Sequence, residues 1–482
     1  MTTSESAVLS RRVCGVGAAA KTGTEAEGKR VDPSPASPSS ISSSRRDAQA
    51  TATLSERFLR SAFFHTLSAI EYGELIVHEG ATTRAFGTPG SGLRAEISVL
   101  DPDFYREVAL HGSVGAGRAW FEGKWTSDDL VSVVRILARN DAALKRWSSG
   151  IGRVLTPAQR VFHLLRRNTR TGSRRNIEAH YDLSNDFFSL FLDETMTYSA
   201  GIFSQPETSL REASVEKLDR ICRVLELEAS DHVLEIGTGW GSFAIHAARN
   251  YGCRVTTTTI SKEQHALATA RVHDAGLEDR VTVILKDYRD LEGTFDKLVS
   301  IEMIEAVGHD FLDTYFRTCC ERLSPGGRMC LQAITIRDDL HDQARRSLDF
   351  IKRYIFPGSD IPSVRSISTS VARATDFAIV DTFDLTEGYA HTLRAWRHNL
   401  AERANEVRAL GFDDRFLAMW DFYFAYCEGG FLERRIQDYQ FVLERRDADR
   451  SGDSLHDDAA NQRQRVAVNR RQPAAPSAGA SS

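Results

Sequence analysis

A glycine-rich loop near the middle of the chain follows a short apolar run and could hold a ligand. The run from Val233 to Ile236 is typical of a buried strand, and the following GTGWG (237–241) leads into a helical pattern. Glycines let the backbone approach a ligand closely, and the first N–H groups of a helix can bind a carboxylate or a phosphate. The segment therefore predicts a small-molecule site, with a tight turn that holds no ligand as the alternative.

The spacing of this loop separates two kinds of cofactor. The pattern G-x-G-x-G is shorter than the G-x-G-x-x-G of dinucleotide sites, and Glu235 lies inside the preceding strand. Both features resemble motif I of the class I S-adenosylmethionine methyltransferases. The next strand ends VTTTTISKEQ and lacks the usual acidic residue for the ribose hydroxyls. We therefore expect Thr259 or Gln264 to form those hydrogen bonds.

Residues 178–445 have the pattern of an α/β domain that would position this loop. Helical stretches alternate with apolar, β-branched runs, which are HVLEIG, CRVTTTTI, RVTVILKD, DKLVSIEM and RMCLQAITI. This alternation predicts a doubly wound sheet with a ligand beyond the carboxyl ends of its strands. Residues 53–140 predict a small α+β accessory domain, with ELIVHEG and LRAEISVLD as strands, TPGSG as a turn and a helix capped by Thr126 or Ser127.

The remaining segments have polar or basic compositions. Residues 1–52 and 446–482 are predicted to be disordered, because they contain too few apolar residues to offset the entropy of ordering. Residues 141–177 form a basic linker, with nine Lys or Arg residues and no acidic residue between Ala142 and Ile177. This linker is either a solvated helix or a helix that lies on an anionic membrane.

Composition excludes several classes of function. The 482 residues include 61 basic and 66 acidic residues, and the resulting net charge of −5 argues against nucleic acid as a partner. There is no apolar run of about 18 residues that would cross a membrane, and we expect no secretory signal. The cysteines are odd in number and irregularly spaced, which predicts reduced thiols. They are Cys14, Cys222, Cys253, Cys319, Cys320, Cys330 and Cys427.

A set of ordered motifs identifies a family. Across 178–445 the chain resembles the cyclopropane-fatty-acyl-phospholipid synthases and mycolic acid methyltransferases, and 53–140 resembles the accessory domain of the phospholipid-acting members. The motifs are IEAHYDLSNDFFSLFLDETMTYSAGIF, TISKEQ, KDYRDL, SIEMIEAVGH, LQAITI, DFIKRYIFPGSDIPS, GYAHTLRAWR and FYFAYCEGGFLERRIQDYQ. The resemblance implies a seven-stranded methyltransferase sheet and transfer of a methylene group to the cis double bond of an unsaturated acyl chain. It also implies S-adenosylmethionine as methyl donor and, as the base, a bound bicarbonate or a group in its place.

The resemblance assigns site residues position by position and assigns no metal. Glu305 would help to hold the bicarbonate, Ile334 would contribute a backbone group and Tyr389 a hydroxyl. A structurally paired Glu305 and a core Tyr389 are the alternatives. The implied cofactor-binding residues are Tyr198, Ser199, Glu235, Gly237, Gly239, Thr259, Ile260, Gln264, Tyr288 and Arg289. The implied catalytic positions are Glu305, Gln332, Ile334, Tyr389, Ala200 and Cys427.

Two of these positions depart from the pattern of many members. Ala200 stands where a cysteine is common, and Gln332 where some members have histidine, which puts bicarbonate binding in doubt. The family makes two kinds of product, a cyclopropane ring or a methylene branch that a separate reductase converts to a methyl branch. Ala200 and the GTGW loop are more similar to the branching group. Cys427 matches a cysteine once proposed as catalytic, and we interpret it as a core cysteine of a helix.

The resemblance also implies partners and a location. We expect unsaturated phospholipid acyl chains as substrate, a partner reductase, a homodimer, and a cytoplasmic protein peripheral at the inner membrane face. The alternatives are a methyltransferase of a soluble small molecule, a non-catalytic lipid-binding relative and a nicotinamide oxidoreductase.

Overall fold

The structure is a computed structural model that describes residues 54–141 and 184–446. The predicted tails (1–52 and 446–482) and the predicted basic linker (141–177) lie almost entirely outside the described residues. The domain boundaries stay predictions. Helices are numbered here in chain order among the described residues.

The N-terminal unit combines three helices with a four-stranded sheet in the order β2-β1-β3-β4. Strand β1 pairs antiparallel with β2 and parallel with β3. The elements are α1 (Leu54–Leu67), β1 (Glu74–Glu79), β2 (Thr82–Gly87), β3 (Arg94–Val99), α2 (Asp103–Phe121), β4 (Trp125–Thr126) and α3 (Leu130–Arg139).

Two sequence predictions for this unit need correction. The turn TPGSG follows β2, because the unpredicted strand β2 forms a hairpin with β1 before the chain returns to β3. Helix α3 is capped neither by Thr126 nor by Ser127. Its N-cap is Asp129, whose side chain accepts a hydrogen bond from the Ser132 N–H at 2.9 Å. A carboxylate at this position satisfies an N–H group that has no partner within the helix.

The C-terminal unit contains a seven-stranded sheet in the order β10-β11-β9-β8-β5-β6-β7, which confirms the predicted α/β fold. Neighbours from β9 to β7 pair in parallel, whereas β11 is antiparallel to both β9 and β10. The strands are β5 (His232–Ile236), β6 (Arg254–Thr259), β7 (Val281–Leu285), β8 (Phe295–Ile301), β9 (Leu323–Ile336), β10 (Phe377–Asp384) and β11 (Ile436–Arg445).

Helices connect these strands in the order expected of a doubly wound sheet. They are α4 (Asn185–Ser189), α5 (Leu210–Val224), α6 (Ser242–Tyr251), α7 (Lys262–Asp274), α8 (Leu312–Arg322), α9 (Asp338–Arg346), α10 (Val364–Ala374), α11 (Thr386–Glu402), α12 (Ala404–Ala409) and α13 (Asp414–Leu432). Among the described residues, no helix is long and apolar enough to cross a membrane.

Helix α13 joins the two units because it packs against α2 and α3 on one side and α11 on the other. Its aromatic residues contribute to the core: Trp420, Phe424 and Phe431 are buried, together with Trp396 of α11. Charge reinforces the contact, since Arg135 and Arg139 of α3 both donate to the Glu433 carboxylate, at 2.8 and 2.5 Å.

Candidate active site

The glycine loop lies at the carboxyl end of β5, where the chain turns into α6. Gly237, Gly239 and Gly241 have φ angles of 104°, 51° and 85°, a region that favours glycine. The N–H groups of Gly237 and Thr238 both donate to the Thr258 carbonyl of β6, at 3.0 and 3.1 Å. The loop is therefore fixed to the neighbouring strand at the edge of the sheet where α/β proteins bind ligands.

One cavity of about 1450 Å³ brings together most of the residues that the sequence assigned to the site. All ten implied cofactor positions line it, together with Glu305, Ile334, Tyr389 and Cys427. Ala200 and Gln332 are outside this lining and contact the site through Glu302 instead. The same cavity reaches α2 and α3 of the N-terminal unit, which the sequence analysis did not connect with chemistry.

The loop end of the cavity fits S-adenosylmethionine. Glu235 is buried, and its Oε2 has no hydrogen-bond partner among the described residues. Burial raises the pKa of this carboxyl to about 8. The ammonium group of an amino acid would supply the missing partner and favour the ionised carboxylate.

Two further sets of residues surround the rest of this end. Thr259 Oγ1 donates to Gln264 Oε1 at 2.8 Å, which orients the amide that the sequence analysis assigned to the ribose hydroxyls. Arg289 donates to the Asp287 carboxylate at 2.8 and 2.6 Å, and both residues line the cavity beside Tyr288. The charge of Arg289 is therefore paired with that of Asp287. The sequence analysis did not predict Asp287 as a site residue.

Replacing Gln264 with leucine is expected to weaken the binding of S-adenosylhomocysteine about two- to tenfold, because one hydrogen bond contributes about 0.5–1.5 kcal/mol. Isothermal titration calorimetry measures the change. Lys262→Leu is the matched control, since Lys262 is an exposed position of the same helix outside the cavity lining. Equal affinities in the two variants would contradict a ribose-binding role.

A partly buried carboxylate, Glu302, is the centre of the second half of the site. Its Oε1 accepts hydrogen bonds from the Ala200 N–H at 2.9 Å and from Gln332 Nε2 at 2.8 Å. Its Oε2 accepts a hydrogen bond from the Tyr389 hydroxyl at 2.6 Å. Three predicted catalytic positions are thus brought together, but on a side chain that the sequence analysis did not select.

Two further acids lie close to Glu302. Glu305 Oε1 accepts the Ile334 N–H at 2.6 Å, while its Oε2 has no partner among the described residues. Burial, followed by the charge of Glu302, raises the pKa of Glu305 to about 8. Asp438 accepts from Gln332 Nε2 at 2.9 Å, and burial raises its pKa well above the ordinary value. Glu305 is therefore largely a neutral acid near pH 7, and burial shifts Asp438 in the same direction.

Lys217 supplies a buried positive charge to this cluster. Its Nζ donates to the Ser199 hydroxyl at 2.7 Å, and the residue lines the cavity. Burial lowers the pKa of the ammonium to about 8, whereas Glu302 and Asp438 oppose that shift. The lysine thus remains largely charged at neutral pH and favours an ionised carboxylate nearby.

The position of Glu302 within the motif SIEMIEAVGH is typical of a functional residue, and the sequence analysis did not use this signal. Glu302 is the first residue after β8, at the sheet edge where the ligand lies. Its φ angle is 47°, a conformation that is costly for a glutamate and that often marks functional positions. The angle itself, however, is visible only in the structure.

Cys427 lines the cavity, but its environment does not suit a nucleophile. Burial raises the pKa of its thiol far above the ordinary value. The residue is therefore a neutral thiol at physiological pH, and only a thiolate would be an effective nucleophile. The environment therefore argues against a nucleophilic Cys427, although the residue is a partly buried part of the cavity wall and not the fully buried core cysteine that we expected.

Comparisons with known proteins agree with this geometry. The family model described as mycolic acid cyclopropane synthetase matches residues 168–441. The chain is 38% identical over 404 residues to the tuberculostearic acid methyltransferase UfaA1 of Mycobacterium tuberculosis, covering 82% of this chain and 92% of that protein. It is 35% identical to the cyclopropane-fatty-acyl-phospholipid synthase of Escherichia coli K12, covering 73% and 88%. The crystal structure of the mycolic acid cyclopropane synthase CmaA1 complexed with SAH and CTAB matches with a TM-score of 0.53 and 30% identity, covering 56% of this chain and 98% of that one.

Proposed function

Because the chain belongs to the mycolic acid cyclopropane synthetase family of S-adenosylmethionine-dependent methyltransferases, we propose that it methylates the cis double bond of an unsaturated phospholipid acyl chain. The observation that carries the proposal is the single cavity that joins the glycine loop, the carboxylate cluster and an apolar region. Its volume of about 1450 Å³ exceeds the roughly 300–1,000 Å³ of a pocket for one small ligand. A cavity of this size has room for a methyl donor and an acyl chain together.

The lining of the cavity suits a reaction that passes through a positive charge on carbon. Bound S-adenosylmethionine supplies an electrophilic methyl group, and an alkene is a weak nucleophile that must be held in line with it. Tyr198 packs with Trp396 at a ring-centroid distance of 5.1 Å, and Phe356 packs with Tyr423 at 6.0 Å. Such rings exclude water, and those that line the cavity can stabilise a cation through their faces.

We propose a methylene branch as the product, with reduction to a methyl branch by a separate reductase. Two observations support this choice. UfaA1, which shares 38% identity with this chain, is by name a tuberculostearic acid methyltransferase. Ala200 also stands where many members of the family carry a cysteine beside the anion site, and the sequence analysis found it more similar to the branching group.

Product analysis tests this proposal. Purified protein is incubated with S-adenosylmethionine and vesicles of oleoyl phospholipid, and the fatty acid esters are examined by proton NMR. Vinylidene protons are expected, because a hydride shift before deprotonation leaves an exocyclic double bond. High-field cyclopropyl protons would instead contradict the branching proposal while retaining lipid methylation. If no new ester forms with phospholipids of several acyl chains, or with acyl chains on a carrier protein, lipid methylation itself is contradicted.

We also propose that the protein works as a homodimer at the cytoplasmic face of the membrane. A phospholipid substrate requires access to a lipid surface, and the basic segment 141–177 would favour an anionic one. Sedimentation with vesicles tests the membrane contact, with binding expected to anionic but not to zwitterionic lipid at low salt. Size-exclusion chromatography with light scattering tests the dimer.

A further inference from the structure

The anion position of this active site is filled by the protein's own carboxylate. The sequence analysis placed Ala200, Gln332 and Tyr389 at or beside the position of a bicarbonate ion, whose binding Ala200 put in doubt. In the structure, hydrogen bonds from all three residues converge on Glu302, with donor–acceptor distances between 2.6 and 2.9 Å. A second anion at the same place would lose these donors and would meet a like charge.

We propose that Glu302 is the base of the reaction and takes the place of bicarbonate. The inference rests on the proposed function, because it assumes that the reaction ends with loss of a proton from a methylated cation. Glu302 lines the same cavity as the glycine loop and Tyr389. A carboxylate held by three donors at the end of β8 is fixed in place before the substrate binds, which an exchanging ion is not.

The surrounding charges favour Glu302 as the ionised acid of the cluster. Burial raises its pKa above the ordinary value, and the Tyr389, Ala200 and Gln332 hydrogen bonds together with Lys217 oppose that rise. Burial and the charge of Glu302 raise the pKa values of the neighbouring acids Glu305 and Asp438, which favours Glu302 as the carboxylate that pairs with the Lys217 ammonium. Without a ligand, burial holds Glu235, which also faces Lys217, largely neutral, and with the methyl donor bound its charge would be paired with the donor's ammonium group.

The step balances without a further reactant. A carbon–carbon bond forms between the alkene and the transferred methyl as the bond from that methyl to sulfur breaks, and sulfur keeps the electron pair. The neighbouring alkene carbon becomes cationic, and a hydride shift moves the charge to the methylated carbon. Glu302 then accepts a proton from the methyl, and the C–H electron pair becomes the π bond of the methylene group. The neutral carboxylic acid returns its proton to water when the product leaves.

Two substitutions of Glu302, Glu302→Gln and Glu302→Gly, test separately the negative charge of its side chain and the space that the side chain fills. Glutamine keeps the shape without the base, so we expect turnover to fall about 10²–10⁴-fold, the usual contribution of a general base, with no rescue by bicarbonate. Glycine opens the anion position, and the φ angle of 47° suits it, so the fold is expected to persist. We expect added bicarbonate or formate to raise the turnover of Glu302→Gly at least tenfold. The wild type should need neither ion.

Glu226→Gly is the matched control, because Glu226 is an exposed glutamate with a nearly identical φ angle of 53° outside the cavity lining. It should retain wild-type turnover. Binding of ¹³C-labelled bicarbonate, followed by NMR, gives a readout independent of activity: the glycine variant should bind the ion and the wild type should not.

The outcomes distinguish this inference from the proposed function. Wild-type protein that binds bicarbonate and requires it for lipid methylation would overturn the role of Glu302 while leaving the function in place. Full activity in Glu302→Gln would also overturn the role of Glu302 as the base and leave the proposed function in place. If no lipid is methylated, the proposed function fails, and the labelled-bicarbonate experiment still decides whether Glu302 fills the anion position.

The pH dependence of kcat follows from the same assignment. Glu302 must be ionised to accept a proton, and its pKa is raised by burial, so activity should fall as the pH is lowered through a midpoint above the ordinary 4.5. Below that midpoint the rate should drop about tenfold per pH unit. In Glu302→Gly with added formate, the acid limb should move to lower pH, because the base is then a weaker one.

Discussion

Replacing Gly237 with valine is expected to weaken the binding of S-adenosylhomocysteine about 100-fold. Gly237 has a φ angle of 104°, which a β-branched residue avoids at a cost of about 1–3 kcal/mol. A Cβ at this position would also lie 3.2 Å from the Met303 Cβ. The backbone must therefore rotate, which moves the Gly237 and Thr238 N–H groups off the Thr258 carbonyl and changes the shape of the loop. Isothermal titration calorimetry measures the loss.

Gly252→Val is the matched control for this substitution. Gly252 has a φ angle of 73° and ends the same helix, α6, at the terminus opposite to the glycine loop. Its Cβ would meet Ala229 at 3.4 Å, and the residue does not line the cavity. Both variants should lower the melting temperature, but only Gly237→Val should lose affinity. Equal affinities would mean that the loop does not bind the cofactor.

The parts of the fold that the sequence predicted depend on local signals. Strands β5 to β9 are apolar runs within a regular alternation with helices, and the loop after β5 has its own glycine spacing. Strands β10 and β11 were not predicted individually, because a helix or a half-buried strand can share their composition. Their place in the sheet depends on antiparallel pairing of β11 with β9, over a long separation in the chain.

The base was missed for a related reason. Glu302 and Glu305 are both glutamates of one short motif, and family resemblance drew attention to Glu305 alone. The role of Glu302 depends on donors from the loop before α5, from β9 and from α11, which only the tertiary fold brings together. The position of Glu302 directly after β8 marks it as a residue at the ligand edge of the sheet, but the motif SIEMIEAVGH does not show which donors its carboxylate accepts.

Replacing Leu137 with tryptophan is expected to reduce kcat/KM for oleoyl phospholipid by about 10–200-fold, with a smaller loss for shorter acyl chains. Leu137 and Val133 of α3 line the cavity together with Phe422 and Phe431 of α13, so the N-terminal unit contributes to the apolar region. A larger side chain there would exclude the end of the substrate, and a mismatch of a methylene or more in an apolar pocket costs about 1–3 kcal/mol. Vesicles with monounsaturated chains of graded length measure the effect.

Ser132→Trp places the same side chain on α3 outside the cavity lining, and it should leave kcat/KM close to that of the wild type. Calorimetry should give the same affinity for S-adenosylhomocysteine in both variants, because the glycine loop is separate from α3. A loss that is equal for all chain lengths would indicate a disturbed contact between α3 and α13 instead of a shortened acyl site. A loss that increases with chain length means that the N-terminal unit helps to select the substrate.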